Sequence, residues 1–207
     1  MLTSPGGIAG AFAQPVVLDS PDGRIHASFA LPVPGSTATP SWSASFQGKV
    51  LFSNCQLSLQ TKQAGDLMSG VRVLKETRRT RNQRIQVLHG RSKDAEDCFN
   101  EARFQFATAA GHRTVVVFRC YNDAIALRYE LPAERAQTSV TITNEATSFS
   151  PMGDPLAHIQ YLENFKTSHE HSVTSTEFSR VRKGELLDMP LTLAWKDGTY
   201  AAITEAA

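Results

Sequence analysis

Apolar and polar positions alternate with a period of two along most of this chain, the pattern of half-buried strands. Between residues 24 and 31 the apolar face is Ile25, Ala27, Phe29 and Leu31, preceded by the turn sequence Ser20-Pro21-Asp22-Gly23. Residues 41–46 and 50–52 flank Gln47-Gly48-Lys49 and predict a hairpin. Alternation returns at Cys55, Leu57 and Leu59, and again at Ile85 and Val87. Phe104-Gln105-Phe106 and residues 113–121 predict paired strands around Ala109-Ala110-Gly111-His112. Val115-Val116-Val117-Phe118 is apolar at every position, which predicts a strand covered on both faces. Asn122-Asp123 turns the chain into a strand at 124–131 that Pro132 stops, and 139–143 is a further β-branched strand. No segment of helical period reaches a convincing length, and there is no internal repeat.

Turns recurring every ~8–12 residues over this length predict an all-β fold, a large antiparallel sandwich or barrel. The immunoglobulin pattern is excluded, because neither Trp42 nor Trp195 lies between suitably spaced cysteines. Residues 147–187 depart from the alternation. There Phe149, Pro151, Pro155, Tyr161, Phe165 and Phe178 are scattered among charges, and the segment reads as a long irregular connection. Such a connection either carries a binding surface or simply pins itself to the sandwich by its aromatics.

Composition narrows the function classes. A chain of 207 residues buries about 70% of its unfolded surface and needs no disulfide framework. Its net charge of +1 creates no global field, which argues against nucleic acid or an anionic membrane as the main partner. No apolar run approaches the roughly 20 residues of a membrane span. Cys55, Cys98 and Cys120 are too few and too scattered for a zinc site, and at most one bridge could join them. Near the start, Ile8-Ala9-Gly10-Ala11-Phe12-Ala13-Gln14 ends in the small-residue pattern that signal peptidase accepts, with cleavage before Gln14. Residues 1–13 read as the remnant of a signal peptide, which implies export; a flexible Gly/Ala/Pro leader is the competing reading.

Candidate chemistry is sparse. His169-Glu170-His171 would place two imidazoles on one face of a strand, a spacing able to chelate a metal, although a solvated loop accounts for them as well. The basic run Arg78-Arg79-Thr80-Arg81-Asn82-Gln83-Arg84 could meet an acidic surface, but it lacks interleaved aromatics for stacking bases and reads as a solvated loop. Cys98 and Cys120 have no nucleophile motif around them and read as small buried hydrophobes. Asn100, Glu101 and Asp123 sit where turn roles dominate. Trp42, Tyr161 and Phe165 are the candidates for an aromatic platform that would stack on a sugar. The chain closes with two short strands around Lys196-Asp197-Gly198, then Ile203-Thr204-Glu205-Ala206-Ala207. This ending reads as cut rather than capped, and Glu205 is its single carboxylate.

Several of these pieces carry a resemblance when taken in order. They are Ser20-Pro21-Asp22-Gly23-Arg24-Ile25, Gln47-Gly48-Lys49, Phe99-Asn100-Glu101, the block from Phe118 to Tyr129, and the ending Asp197-Gly198-Thr199-Tyr200 followed by Glu205-Ala206-Ala207. Over residues 19–207 the chain resembles the N-terminal domain of glycoside hydrolase family 97, the bacterial, largely periplasmic α-glucosidases and α-galactosidases. The family's usual glycine before Ala126 is Ile125 here, and its usual tyrosine before Asn100 is Phe99.

The resemblance implies that residues 14–207 form a β super-sandwich of the galactose-mutarotase-like kind, shortened at its C-terminal end. In the family this sandwich leads into a (β/α)8 barrel that carries the catalytic carboxylates and is absent from this chain. The resemblance further implies that the domain packs on that barrel and lends one glutamate of the Glu-Ala-Ala ending, here Glu205, to an active-site calcium. Calcium takes six to eight oxygen ligands, so one glutamate must be completed from elsewhere. No catalytic residue is expected in this chain, and it should be inactive alone. The partners implied are an α-linked oligosaccharide and the barrel, and the location implied is the periplasm or the exterior. The rival reading is a free-standing carbohydrate-binding β-sandwich without hydrolase activity; a third is a purely structural interaction module.

Overall fold

Strict alternation in Ile25–Ala30 buries Ile25, Ala27 and Phe29 and leaves His26, Ser28 and Ala30 partly open, as the period of two requires. The computed structural model describes residues 12–88, 92–133 and 139–205. The chain divides into two compact units, Met1–Ser150 and Pro151–Ala207. The leader residues up to Ala11, and Ala206-Ala207 of the terminal motif, lie outside the described residues.

In the first unit, β1 (Val16–Asp19), β2 (Ile25–Ala30), β3 (Ser41–Phe46) and β4 (Lys49–Gln56) form an antiparallel sheet in chain order. β5 (Leu59–Thr61) and β6 (Gly65–Asp66) form a smaller sheet with β11 (Ile142–Glu145). The other large sheet has the order β10-β9-β8-β7, from β7 (Arg72–Gln86), β8 (Asp94–Ala107), β9 (Arg113–Cys120) and β10 (Ile125–Glu130). Aromatic contacts join the two large sheets. The Phe29 ring of β2 lies 4.4 Å from that of Phe118 on β9 and 5.1 Å from that of Phe104 on β8. Trp42 packs on Phe118 from β3, and Phe149 meets Trp42 edge-on at 5.5 Å. Removing such rings from water supplies most of the driving force for the unit.

The expected strands are present at 25–30, 41–46, 113–120 and 125–130, and Thr114 to Phe118 is buried throughout. The 139–143 strand begins later, at Ile142. The hairpin between β3 and β4 turns through Gln47 (φ 50°) and Gly48 (φ 82°), the two left-handed residues of a type I′ turn.

Two expectations are corrected. The arginine run is not a loop: it lies inside β7, a 15-residue strand that pairs with β8 along its length while burying almost none of its side chains. Residues 147–187 are not one irregular connection. Residues up to Ser150 belong to the first unit, where the exposed Phe149 packs edge-on against Trp42 and Phe52, and the segment from Pro151 onward builds the second unit. That unit contains β12 (Leu156–Ile159), β13 (Tyr161–Leu162), β14 (Thr174–Glu177), a single 3-10 turn at Phe178–Arg180, β15 (Leu186–Leu187), β16 (Leu191–Ala194) and β17 (Tyr200–Ile203). Its main sheet has the order β14-β12-β16-β17, and Ala157, Ile159 and Leu193 form its buried centre. The segment reads as irregular because its strands have at most four residues, too short for a period of two to register.

Candidate functional site

The terminal hairpin positions Glu205. β16 and β17 pair with Leu193 opposite Ala201 and Leu191 opposite Ile203. The connecting turn closes by Trp195 N–H to Thr199 O (2.9 Å) and Gly198 N–H to Trp195 O (3.0 Å), and the Asp197 carboxylate accepts from Thr199 N–H at 3.1 Å. Gly198 takes φ 84°, a conformation that explains Asp-Gly at this turn. β17 is an edge strand, and Glu205 follows it by two residues with its side chain exposed. The Glu205 backbone carbonyl accepts a hydrogen bond from Thr204 Oγ1 at 3.4 Å. Among the described residues no three His, Cys, Asp or Glu side chains converge closely enough to hold a metal ion. A single exposed carboxylate can supply one or two of the six to eight oxygens that a calcium shell takes.

The histidines at 169 and 171 do not share a strand face, because their segment is not a strand. His169 Nδ1 lies 3.0 and 2.9 Å from the two carboxylate oxygens of Asp188. Gln160 Nε2 donates to Asp188 (3.0 Å) and to the His169 carbonyl (2.6 Å), while His171 Nε2 sits 3.4 Å from Thr167 Oγ1. His169 therefore fastens a loop to Asp188, and the hydrogen bond it makes there holds the Asp188 carboxyl below the usual carboxylate range.

The aromatic platform is not assembled either. Trp42 is a core residue with 4% of its surface exposed, and the Arg182 guanidinium covers the Tyr161 ring at 3.9 Å. Phe165 alone of the three is open, at 86%.

The structure also reveals a cluster that sequence reasoning missed. Glu101 is not at a strand end. It lies within β8, fully buried, with Arg79 of β7 and Arg119 of β9 directly opposite on either side. Its Oε2 accepts from Arg119 Nε at 2.8 Å and Arg79 Nη2 at 2.9 Å. Its Oε1 lies 2.7 Å from Arg79 Nε without a well-directed hydrogen bond. Both guanidinium groups lie over the Phe99 ring, Arg119 at 4.4 Å and Arg79 at 5.6 Å. Burial pushes the Glu101 carboxyl up, but the hydrogen bonds and charges of Arg119 and Arg79 outweigh it, and its pKa falls below the ordinary value.

The motif pieces that are scattered in sequence gather around this cluster. Asn100 Nδ2 donates to Asp19 O at 2.9 Å, and Asn122 Oδ1 accepts from Asp22 N–H at 3.0 Å. Arg24 reaches Asn122 O at 3.3 Å, Gln47 N–H donates to Arg24 O at 2.7 Å, and Phe99 packs on Tyr121. Ser20 Oγ and Arg24 together hold Asp22 down to a pKa of about 2. The motif is thus a polar corner that locks the two large sheets of the first unit together. The signal available in sequence was the pairing of Glu101 with the arginine of the Arg119-Cys120-Tyr121-Asn122-Asp123 block, two features readable apart but not together.

Comparison with known proteins gives a consistent answer. The family described as Glycosyl-hydrolase 97 N-terminal matches residues 18–207. A "Probable retaining alpha-galactosidase" of Streptomyces bingchenggensis (strain BCW-1) is 25% identical over 189 residues, covering 91% of this chain and 28% of that protein. A glycoside hydrolase family 97 enzyme from Pseudoalteromonas sp. strain K8, solved in complex with acarbose, superposes with a TM-score of 0.79 at 25% identity. A single-substitution variant of that enzyme, in complex with panose, also gives 0.79; each alignment covers 93% of this chain and 28% of that one. The chain therefore spans a little under a third of the length of the relatives it matches.

Proposed function

The chain belongs to the family of glycosyl-hydrolase 97 N-terminal domains, and from that premise we propose that it is the accessory domain of an exo-acting α-glycosidase in which Glu205 ligates calcium. The observation that carries this reading is the match of nearly the whole chain, in fold and in order, to the corresponding part of family 97 enzymes. In this reading the sandwich packs on a catalytic (β/α)8 barrel that binds an α-linked oligosaccharide. The terminal hairpin holds Glu205 at the end of an edge strand, exposed and available to ligands from outside the chain. A calcium ion beside the sugar would polarise the substrate and offset charge shifts at bond cleavage. Glu205 would bind and orient it; the hairpin's buried Leu193 would keep that carboxylate in register. Export to the periplasm or beyond is part of the same proposal and rests on the Ala11-Phe12-Ala13 pattern.

The test is calcium binding by the complete protein encoded at this locus, after chelation and readdition, measured calorimetrically beside hydrolysis of an aryl α-glycoside. Glu205→Gln keeps the shape and removes the charge. It should raise the calcium concentration needed for half-maximal activity by roughly tenfold or more, equivalent to ~1.4 kcal/mol, because calcium affinity follows the charge of the ligands around it. Identical calcium dependence in both proteins would remove Glu205 from the site.

A further inference from the structure

β7 forms the edge of its sheet: β8 pairs with one side of it, and no strand among the described residues pairs with the other. In an antiparallel ladder, alternate residues of such a strand turn their N–H and C=O groups away from the partner. A long, exposed row of these groups is a template for another strand. The charge along this edge is one-sided. β7 carries Arg72, Lys75, Arg78, Arg79, Arg81 and Arg84 against Glu76 alone, in a chain whose net charge is only +1.

The molecule itself shows what kind of strand β7 accepts. β8 carries Asp94, Glu96, Asp97 and Glu101 against Arg103, and it meets β7 through Arg79–Glu101 at 2.7 Å and Arg81–Asp97 at 3.1 Å. Opposite charges facing each other across strands stabilise a pair, and like charges destabilise it. A second copy of β7 would set cations against cations, so self-pairing is disfavoured. We propose that the free edge of β7 is a docking site for an extended, acid-rich polypeptide segment that adds to the sheet as a further strand. β-Strand addition of this kind draws affinity from main-chain hydrogen bonds and selectivity from the flanking side chains. This inference does not depend on the glycosidase assignment.

The probe is a fluorescent peptide of alternating Glu and Val, titrated against the 207-residue chain by anisotropy. Three comparisons accompany it: the same peptide with alternate amides N-methylated, a single-stranded oligonucleotide of matched charge, and the chain carrying Lys75→Glu, an exposed position that faces the uncharged Gln105 on β8. The peptide should bind in the micromolar range, with about tenfold losses on N-methylation and on charge reversal, and less tightly as salt rises. Hydrogen exchange should slow within residues 72–86. Equal binding by the methylated peptide or the oligonucleotide would reduce the edge to a charge patch and overturn strand addition. So would failure of the peptide to bind, or protection of β7 that depends on chain concentration alone, which would make the partner a second copy.

Discussion

Glu101 makes the stability of the first unit sensitive to acid. Its carboxylate is fully buried between Arg79 and Arg119, and their hydrogen bonds and charges hold its pKa below the ordinary value despite burial. A carboxyl whose pKa is depressed on folding stabilises fully above its unfolded pKa, about 4.3 for glutamate, and loses that contribution as pH falls through the folded value. Glu130, held down by Arg103 and Arg128, and Asp22, at about 2, act in the same direction. Thermal stability should therefore decline as pH drops below about 4.5. Glu101→Gln should flatten that decline and cost about 1–3 kcal/mol at pH 7 in urea unfolding. The cost is below that of a wholly buried pair because Arg79 is half exposed. An unchanged acid limb in the variant would show that the carboxylate is not the titrating group. The cysteines give a second residue-scale prediction. All three are free; Cys55 and Cys120 are fully buried, and burial pushes the Cys120 thiol up to about 12. Ellman titration of the folded chain should modify Cys98 first and reach the other two only on unfolding.

The β3–β4 hairpin shows how local sequence fixes an element. Gly48 sits at φ 82°, and a Cβ built there would meet nothing within 4 Å. Gly48→Ala should thus cost only its backbone strain, about 1 kcal/mol, measured by urea unfolding. A loss of several kcal/mol would mean that the turn makes contacts its geometry does not show. Turn chemistry and alternation make β2, β3 and β9 legible in the sequence, because each buries one face or both in the core, and β10 is legible because half-buried Ile125, Leu127 and Tyr129 alternate with exposed Ala126 and Arg128. β7 is not legible, for the opposite reason. It buries almost nothing, and what holds it is the main-chain ladder and the ion pairs that Arg79 and Arg81 make with β8. Glu101 escapes a sequence reading on similar grounds, since a lone carboxylate does not announce partners on two neighbouring strands. The histidine pair misleads in a different way. The alternation that would align His169 and His171 exists only in a strand, and Asp188 claims His169 from 19 residues away.

At the scale of the molecule, the order of motifs carries more than any residue within it. The pieces from Ser20 to Asn122 that resemble the family converge on one corner of the first unit, where their contacts join its two large sheets, whereas Tyr129 is bonded to Ser58 and Thr147. Glu205 lies in the second unit, at the end of a hairpin, and makes no complete metal site among the described residues. Fold and family are thus within reach of the sequence, whereas the fate of Trp42, Tyr161 and Phe165 is not, because aromatic content alone does not reveal that Trp42 is core. We propose that this domain serves an α-glycosidase without performing the chemistry itself. The most direct test is release of monosaccharide from an α-linked oligosaccharide, followed in parallel for the 207-residue chain and for the complete protein encoded at the locus. No release is expected from the chain, and steady release from the non-reducing end is expected from the complete protein. Hydrolysis by the chain alone, or sugar binding without cleavage by the complete protein, would contradict it.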